Sequence, residues 1–519
     1  MLRVALSVLR RPHVSWRLGV TSRVQAQRTS ATTEALVRKS LLSALTALVI
    51  TGGSLATLAV TARRLLPDNF GQFVYLQWLV NLVFLVVSLG LTGAASRYLA
   101  EFAVDPTRRQ QFLRIWRIWA AVIPIVGAAG ALVLAVSTGV DLSLAGYTLL
   151  VAWALFAGWW AMQTAALVGD QRFGTLLIAN VAAVAVVLPL VLAAPSPRAS
   201  LEWFVGAMAL SSLVALVVGL HGVRRPQPRP PGMEAVALPW PSIRRYAFNM
   251  WLTGLLWTLV WSRGELPLVR TYMGDAGVGQ YAAALTIFFG GVQAIQLWIG
   301  GIAPHLTELL GSGRRLEAIS IARMASDGQL LASGAIAVGF AAVAPELMRL
   351  TFGSDYEATA STLIVLLVGL AALTASAQSH LLQITTHAKF TRDVSVAGLA
   401  ILYIAAIVAI PTLGTEGAAL ARVLAVWSTF GLTYRAARRQ YGPHVISGRN
   451  VSVVLSVVLT QTLVTEALAY DLGVRVVFSA GCVATLAFCL RNSHGIVAVQ
   501  IAQAARDWAS RMSQRTVTR

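Results

Sequence analysis

The sequence predicts an all-α integral membrane protein of about fourteen transmembrane helices, arranged as two pseudo-symmetric six-helix lobes with two further helices after them. Three observations predict it. First, 57% of the 519 residues are hydrophobic and only 12% are charged, with a mean hydropathy of +0.70. A soluble protein carries about 25% charged residues, so lipid must solvate most of this surface. Second, a short motif occurs twice, 208 positions apart: Phe70-Gly71-Gln72-Phe73 and Val278-Gly279-Gln280-Tyr281. At the same offset Gly93 aligns with Gly301 and Arg97 with His305. Membrane-crossing halves that echo each other are the mark of tandem lobes with a path between them. Third, the formal net charge of +20 is distributed unevenly. With a cytoplasmic N-terminus, 33 of the 41 Lys and Arg fall on the inner side, as the positive-inside rule requires. The basic excess is therefore read as topology, and nucleic acid is not an expected partner.

The elements follow in order. Residues 1–40 read as a basic cytoplasmic tail, whose first acidic residue is Glu34. The composition of 1–33 is also that of a presequence, and a start codon placed too early is a further reading. The first lobe, 41–223, holds apolar spans at 41–62, 73–96, 118–140, 142–169, 174–195 and 202–223. A linker at 224–243 contains Pro226, Pro228, Pro230, Pro231, Pro239 and Pro241, too many for a continuous helix. The second lobe, 244–441, holds spans at 246–272, 279–307, 320–344, 358–386, 394–411 and 414–434. Two more spans, 450–470 and 473–490, form a C-terminal addition (450–490). A basic cytoplasmic tail at 491–519 follows, with an amphipathic stretch from Gly495 to Trp508 suited to a membrane surface. An even helix count places both termini in the cytoplasm. The doubled motif then forms the first outer turn of each lobe.

Chemistry is sparse. Cys482 and Cys489 sit seven apart on one apolar span and read as packing residues. There is no phosphate-binding glycine loop, no metal-ligand spacing and no paired carboxylates at helical spacing. No cofactor, no metal and no enzymatic activity are expected.

Several segments resemble the bacterial polysaccharide exporters, the lipid-linked oligosaccharide flippases of the multidrug/oligosaccharidyl-lipid/polysaccharide (MOP) superfamily. The first is Leu58 to Phe73, through Arg63-Arg64 and Pro67, continued by Ser88 to Tyr98. Met273 to Ala284, followed by Ala303 to Leu306, is similar to the family too, as are Leu350 to Ala358 and Pro411 to Ala419. The resemblance spans roughly residues 38–441. It implies a flippase in a bacterial inner membrane, working by alternating access between the lobes. The implied substrate is an undecaprenyl-diphosphate-linked glycan for lipopolysaccharide O-antigen, capsule or exopolysaccharide. Implied partners are the bilayer, that glycan and polysaccharide polymerase or assembly proteins.

A charge inside the membrane costs about 2.5–3.5 kcal/mol on insertion scales, so each needs a reason to stay. Arg263 and Glu265 lie in the seventh span. A separation of two puts them on opposite helix faces, unless Gly264 and Pro267 break the helix there. A broken helix at membrane depth is tolerated beside a cavity. Ser262-Arg263-Gly264-Glu265 is therefore the leading substrate site, with Arg263 forking onto a diphosphate. The alternative is a structural pairing of both charges with neighbouring helices. Arg422 lies at similar depth in the twelfth span, either sharing that cationic site or pairing with Glu416 or Glu265. Arg97 and His305 sit at equivalent inner helix ends, flanking a cytoplasmic opening or reaching to headgroups. Arg64, with Arg63, faces the outer side, to hold headgroups or released diphosphate. Arg323 and Asp327 read as an ion pair. Gln293, Gln296, His380, Gln383 and His387 recur at spacings that would line a lumen.

Two other functions are weighed. A drug/cation antiporter of the same superfamily would favour acidic sites in the first lobe, whose first five spans contain no interior Asp or Glu. A membrane glycan polymerase or ligase would need chemistry on a sizeable outer loop, and none is long enough.

Overall fold

The computed structural model describes residues 42, 45–102, 105–195, 200–221, 238–299, 306, 309–310, 313–374, 379–382, 389–442, 447–467 and 472–488. Among them every regular element is helical, because lipid leaves no other partner for the backbone. The expectations for His305, Gly301, Gln383, His387, Cys489, the linker and the two tails fall outside the described residues, the linker except for its last residues.

The first stretch comprises α1 (Leu45–Arg64), α2 (Pro67–Ser88), α3 (Leu91–Glu101), α4 (Pro106–Ser137), α5 (Leu144–Gly169), α6 (Phe173–Leu192) and α7 (Leu201–His221). Then come α8 (Trp240–Leu256), a π-turn at Trp257–Ser262, α9 (Leu266–Ile299), α10 (Arg315–Ala342) and α11 (Ala344–Phe352). A 3₁₀ turn at Ser354–Thr359 leads to α12 (Ala360–Val368), α13 (Leu370–Thr374), α14 (Lys389–Tyr441) and α15 (Gly448–Ala467). The last described helix is α16 (Leu472–Phe488). Eight of these are long and apolar enough to cross a membrane, or ten if each of two sharply bent pairs is one span. That count does not establish fourteen. Two of the eight are bent where only glycine is comfortable: α9 at Gly274 (φ 70°, ψ −170°) and α14 at Gly414 (φ 59°, ψ −133°). Hydropathy places breaks near both points, between 272 and 279 and between 411 and 414.

Local chemistry explains the ends. Pro67 and Pro106 start α2 and α4, where a missing N–H costs nothing. Asp105 caps α4 through the N–H groups of Thr107 and Arg108 at 3.1 and 3.0 Å. Ser143 caps α5 through Gly146. The tyrosine of that first turn, Tyr147, donates to the Val140 carbonyl at 2.7 Å and closes the α4–α5 connection.

Helices α4 to α7 pack on one another, as do α9 to α15. The two groups meet through α2 against α9 and through α3 against α8. At the first junction the doubled motif meets itself. A Cβ on Gly71 would lie 1.8 Å from the Asp275 carbonyl oxygen, and one on Gly279 would lie 2.1 Å from that of Pro67. The span pattern predicts a turn at each copy. Both copies are instead helical, within α2 and α9. Their glycines are there to let two backbones touch, as small residues do between membrane helices. Phe70 extends the contact, its ring 5.9 Å from Tyr356 and 6.5 Å from Phe352.

Candidate functional site

The π-turn ends where the sequence predicts a break. Arg263 leaves the helix at φ −135°, ψ 36°. A side chain on Gly264 would lie 2.0 Å from the Leu259 carbonyl oxygen, so the chain folds back here only through glycine. Pro267 then sits in the first turn of α9, where its lack of an N–H is harmless. π-Turns inside helices are frequent at functional sites.

The break turns Glu265 inward. Glu265 is fully buried, and Arg422, rising from α14 beyond the Gly414 bend, is 1% exposed. The two form a forked pair. Arg422 Nε donates to Oε1 at 2.8 Å and Nη2 to Oε2 at 2.6 Å. Nη2 also donates to the Ser262 carbonyl at 2.6 Å, and Phe289 presents its ring 5.6 Å from the guanidinium carbon. The Tyr281 hydroxyl donates to Glu265 Oε1, and the Tyr403 hydroxyl donates to the Gly264 carbonyl at 2.8 Å. The open choice for Arg422 is thus resolved: its partner is Glu265, while Glu416 is exposed. The expected two-residue separation does not pair Arg263 with Glu265.

Arg263 stands beside this cluster and makes no ion pair among the described residues. Among the described residues its one hydrogen bond is a long 3.4 Å contact from Nη2 to the Thr286 hydroxyl. It remains partly exposed while Glu265 and Arg422 are not. Two guanidinium groups around one carboxylate leave the site with one uncompensated positive charge.

The other predicted cations lie elsewhere. Arg64 donates to the Leu192 carbonyl at 3.0 Å and to that of Ala194 at 3.4 Å, so it caps the end of α6 instead of standing free. Arg63 donates to the carbonyls of Leu350 and Thr351 at the end of α11, tying α1 to the second group of helices. Arg97 pairs with Glu101 at 3.5 Å and lies 4.5 Å over the Tyr246 ring of α8. Arg323 and Asp327 approach to 3.8 Å, and Asp327 also accepts from the Ser447 N–H. Gln293 is exposed.

One set of residues carried no signal in the sequence reading. Arg270 donates to Asp275 Oδ1 at 2.6 Å and to the Thr138 carbonyl at 3.0 Å, and lies 4.5 Å over the Tyr75 ring. Gln72, from the first copy of the motif, donates to Asp275 Oδ2 at 3.0 Å. This clasp bolts the Gly71–Gly279 contact across the two groups. At the far end of α2, Gly90 packs on the Ala247 carbonyl, where a Cβ would lie 2.0 Å away. No group of three metal-ligating side chains occurs among the described residues.

No family model matches the chain, and no curated protein does. Solved structures do. An inward-facing multidrug resistance MATE family transporter of the MOP superfamily matches with a TM-score of 0.61 at 16% identity, over 76% of this chain and 98% of that one. The lipid II flippase MurJ, in an inward closed conformation, matches at 0.59 and 10% identity, over 88% of this chain and 99% of MurJ. A MOP superfamily transporter from Pyrococcus furiosus, described as having a binding pocket of reversed polarity, matches at 0.55 and 17%, over 78% and 95%. The protein is a multi-pass, all-α membrane protein. Its fold is the one shared by the MATE transporters and MurJ.

Proposed function

We propose that this protein moves a lipid-linked glycan, carried on a prenyl diphosphate, across a bacterial inner membrane for surface polysaccharide synthesis. The observation that carries this reading is Arg263: a guanidinium at membrane depth, beside a helix break, with its neighbour's charge already neutralised by Glu265. Such a site attracts an anion, and a forked guanidinium suits a diphosphate. The likeness to a lipid II flippase supports the same substrate class. A drug/cation antiporter is the second reading, favoured by the MATE likeness. The absence of acidic residues from the interiors of the first five apolar spans weighs against it.

Two contacts along α2 and α3 support an alternating-access mechanism. Gly71 and Gly90 are 19 residues apart, about 28 Å along a helix and close to the thickness of a bilayer's core, so in this reading the Gly71–Gly279 and Gly90–Ala247 contacts belong to opposite faces. Opening one end means breaking the clasp of Arg270, Asp275 and Gln72. With cytoplasmic termini that clasp is the outer gate, and Arg97 with Tyr246 lies at the inner one. Domains 41–223 and 244–441 act as the moving lobes.

The test is translocation in proteoliposomes. Labelled undecaprenyl-diphosphate trisaccharide is expected to cross faster with the protein than without it. Export of a soluble organic cation, with no effect on the lipid, would sink the reading. Cysteines replacing Gln72 and Asp275 are expected to crosslink on oxidation and stop transport until reduced. Unimpeded transport by the crosslinked form would show that this end does not open.

A further inference from the structure

We propose that a cavity inside the first lobe receives one neutral sugar ring of the translocated lipid, so that the sugar and the diphosphate are held by different lobes. The proposal rests on the flippase reading. It arises from a cavity of about 210 Å³ lined by α1, α2, α5, α6 and α7. No charged side chain lines it. Its polar lining is made of hydroxyls and amides, from Ser54, Thr57, Gln77, Asn180 and Ser212, and Trp160 lines it too.

Three features point to a sugar. Among the described residues Ser54, Thr57, Gln77 and Ser212 form no hydrogen bonds, although Thr57 is only 6% exposed. Hydroxyls and amides that line a cavity without protein partners are free to bond the hydroxyls of a ligand. A lining that combines hydroxyls and amides with the aromatic residues Trp160 and Phe73 matches a sugar, which offers hydroxyls at its rim and C–H groups on its face. Size agrees as well, since drug-sized sites begin at about 300 Å³ and this cavity is smaller. An organic cation would meet no carboxylate here, and a lipid chain would strand the polar groups.

Trp160 is held in place by its neighbour. A Cβ on Gly219 would lie 2.5 Å from Trp160 Cζ3, so glycine leaves the space that the indole occupies. Ser54 is exposed, so the cavity opens along α1.

The internal repeat gives independent support. Positions 208 before Glu265 and Tyr281 are Thr57 and Phe73, and both line this cavity. Equivalent places in the repeat thus carry a filled, fully buried cluster in the second lobe and a cavity in the first. The cluster is built from Glu265, Arg422 and Tyr281, and the cavity is neutral.

The experiment compares two radiolabelled lipids in proteoliposomes: undecaprenyl diphosphate bearing an N-acetylglucosamine-containing trisaccharide, and bare undecaprenyl diphosphate. Trp160→Leu and Gln77→Leu are expected to slow the glycosylated lipid about tenfold, the loss of one stacking or hydrogen-bonding contact, and to leave the bare lipid unchanged. Equal slowing of both lipids, or no slowing of either, overturns the sugar site while leaving the flippase standing. If the wild type moves neither lipid, the flippase reading fails. Equilibrium dialysis of the solubilised protein with labelled di-N-acetylchitobiose then decides the cavity separately. Saturable binding that Trp160→Leu removes upholds the sugar site, and no binding ends it.

Discussion

Replacing Arg422 with methionine is expected to destabilise the protein by about 3–5 kcal/mol, the cost of leaving a buried carboxylate without its partner. Glu265 is fully buried and Arg422 is 1% exposed, so water cannot stand in for the lost guanidinium. The only remaining donor to the carboxylate among the described residues is the Tyr281 hydroxyl. Removing both charges tests the cause. Arg422→Met with Glu265→Leu is expected to recover most of the loss, because neither charge is then stranded. The measurement is thermal unfolding in detergent of the wild type, both single variants and the double variant. Additive losses in the double variant would mean that the two residues do not act as a pair.

Arg263→Ala is expected to behave in the opposite way. Its 3.4 Å hydrogen bond to Thr286, the one it makes among the described residues, holds little of the fold together, so the unfolding midpoint should hardly move. Transport of the prenyl-diphosphate glycan should fall about 10- to 100-fold, as expected for losing a hydrogen bond to a charged group. Arg263→Lys should recover only part of the rate, because an ammonium keeps the charge without the fork. Normal transport by Arg263→Ala would return Arg263 to a structural role. The contrast between neighbours is the point: Arg422 holds the site's shape, and Arg263 holds its free charge.

Much of the fold was legible in the sequence because the bilayer imposes a simple rule. Twenty apolar residues make a span, and Gly and Pro mark where spans end. The bends at Gly274 and Gly414 and the break at Arg263–Glu265 fall where hydropathy and these residues place them. Less legible were the partners. Arg64 and Arg63 read as outward-facing headgroup ligands, yet both are held by carbonyls at helix ends, whose positions depend on how α6 and α11 pack. The Arg270–Asp275 clasp carried no signal, because its partners Gln72 and Thr138 are distant in the chain. The glycines of the doubled motif were visible, but for the wrong reason. They read as turn residues, whereas they serve close contact between two helices.

By itself the sequence determined the solvent, the helical class and the repeat, since these depend on composition and periodicity along one chain. Helix packing settles which of Arg263 and Arg422 is neutralised, that Gly71 meets Gly279, and that Thr57 and Phe73 line a cavity while Glu265 and Tyr281 close around an arginine. The physical reason is that a charge or a void acquires meaning only from its neighbours. Residues 157 apart, such as Glu265 and Arg422, become neighbours only when the helices pack.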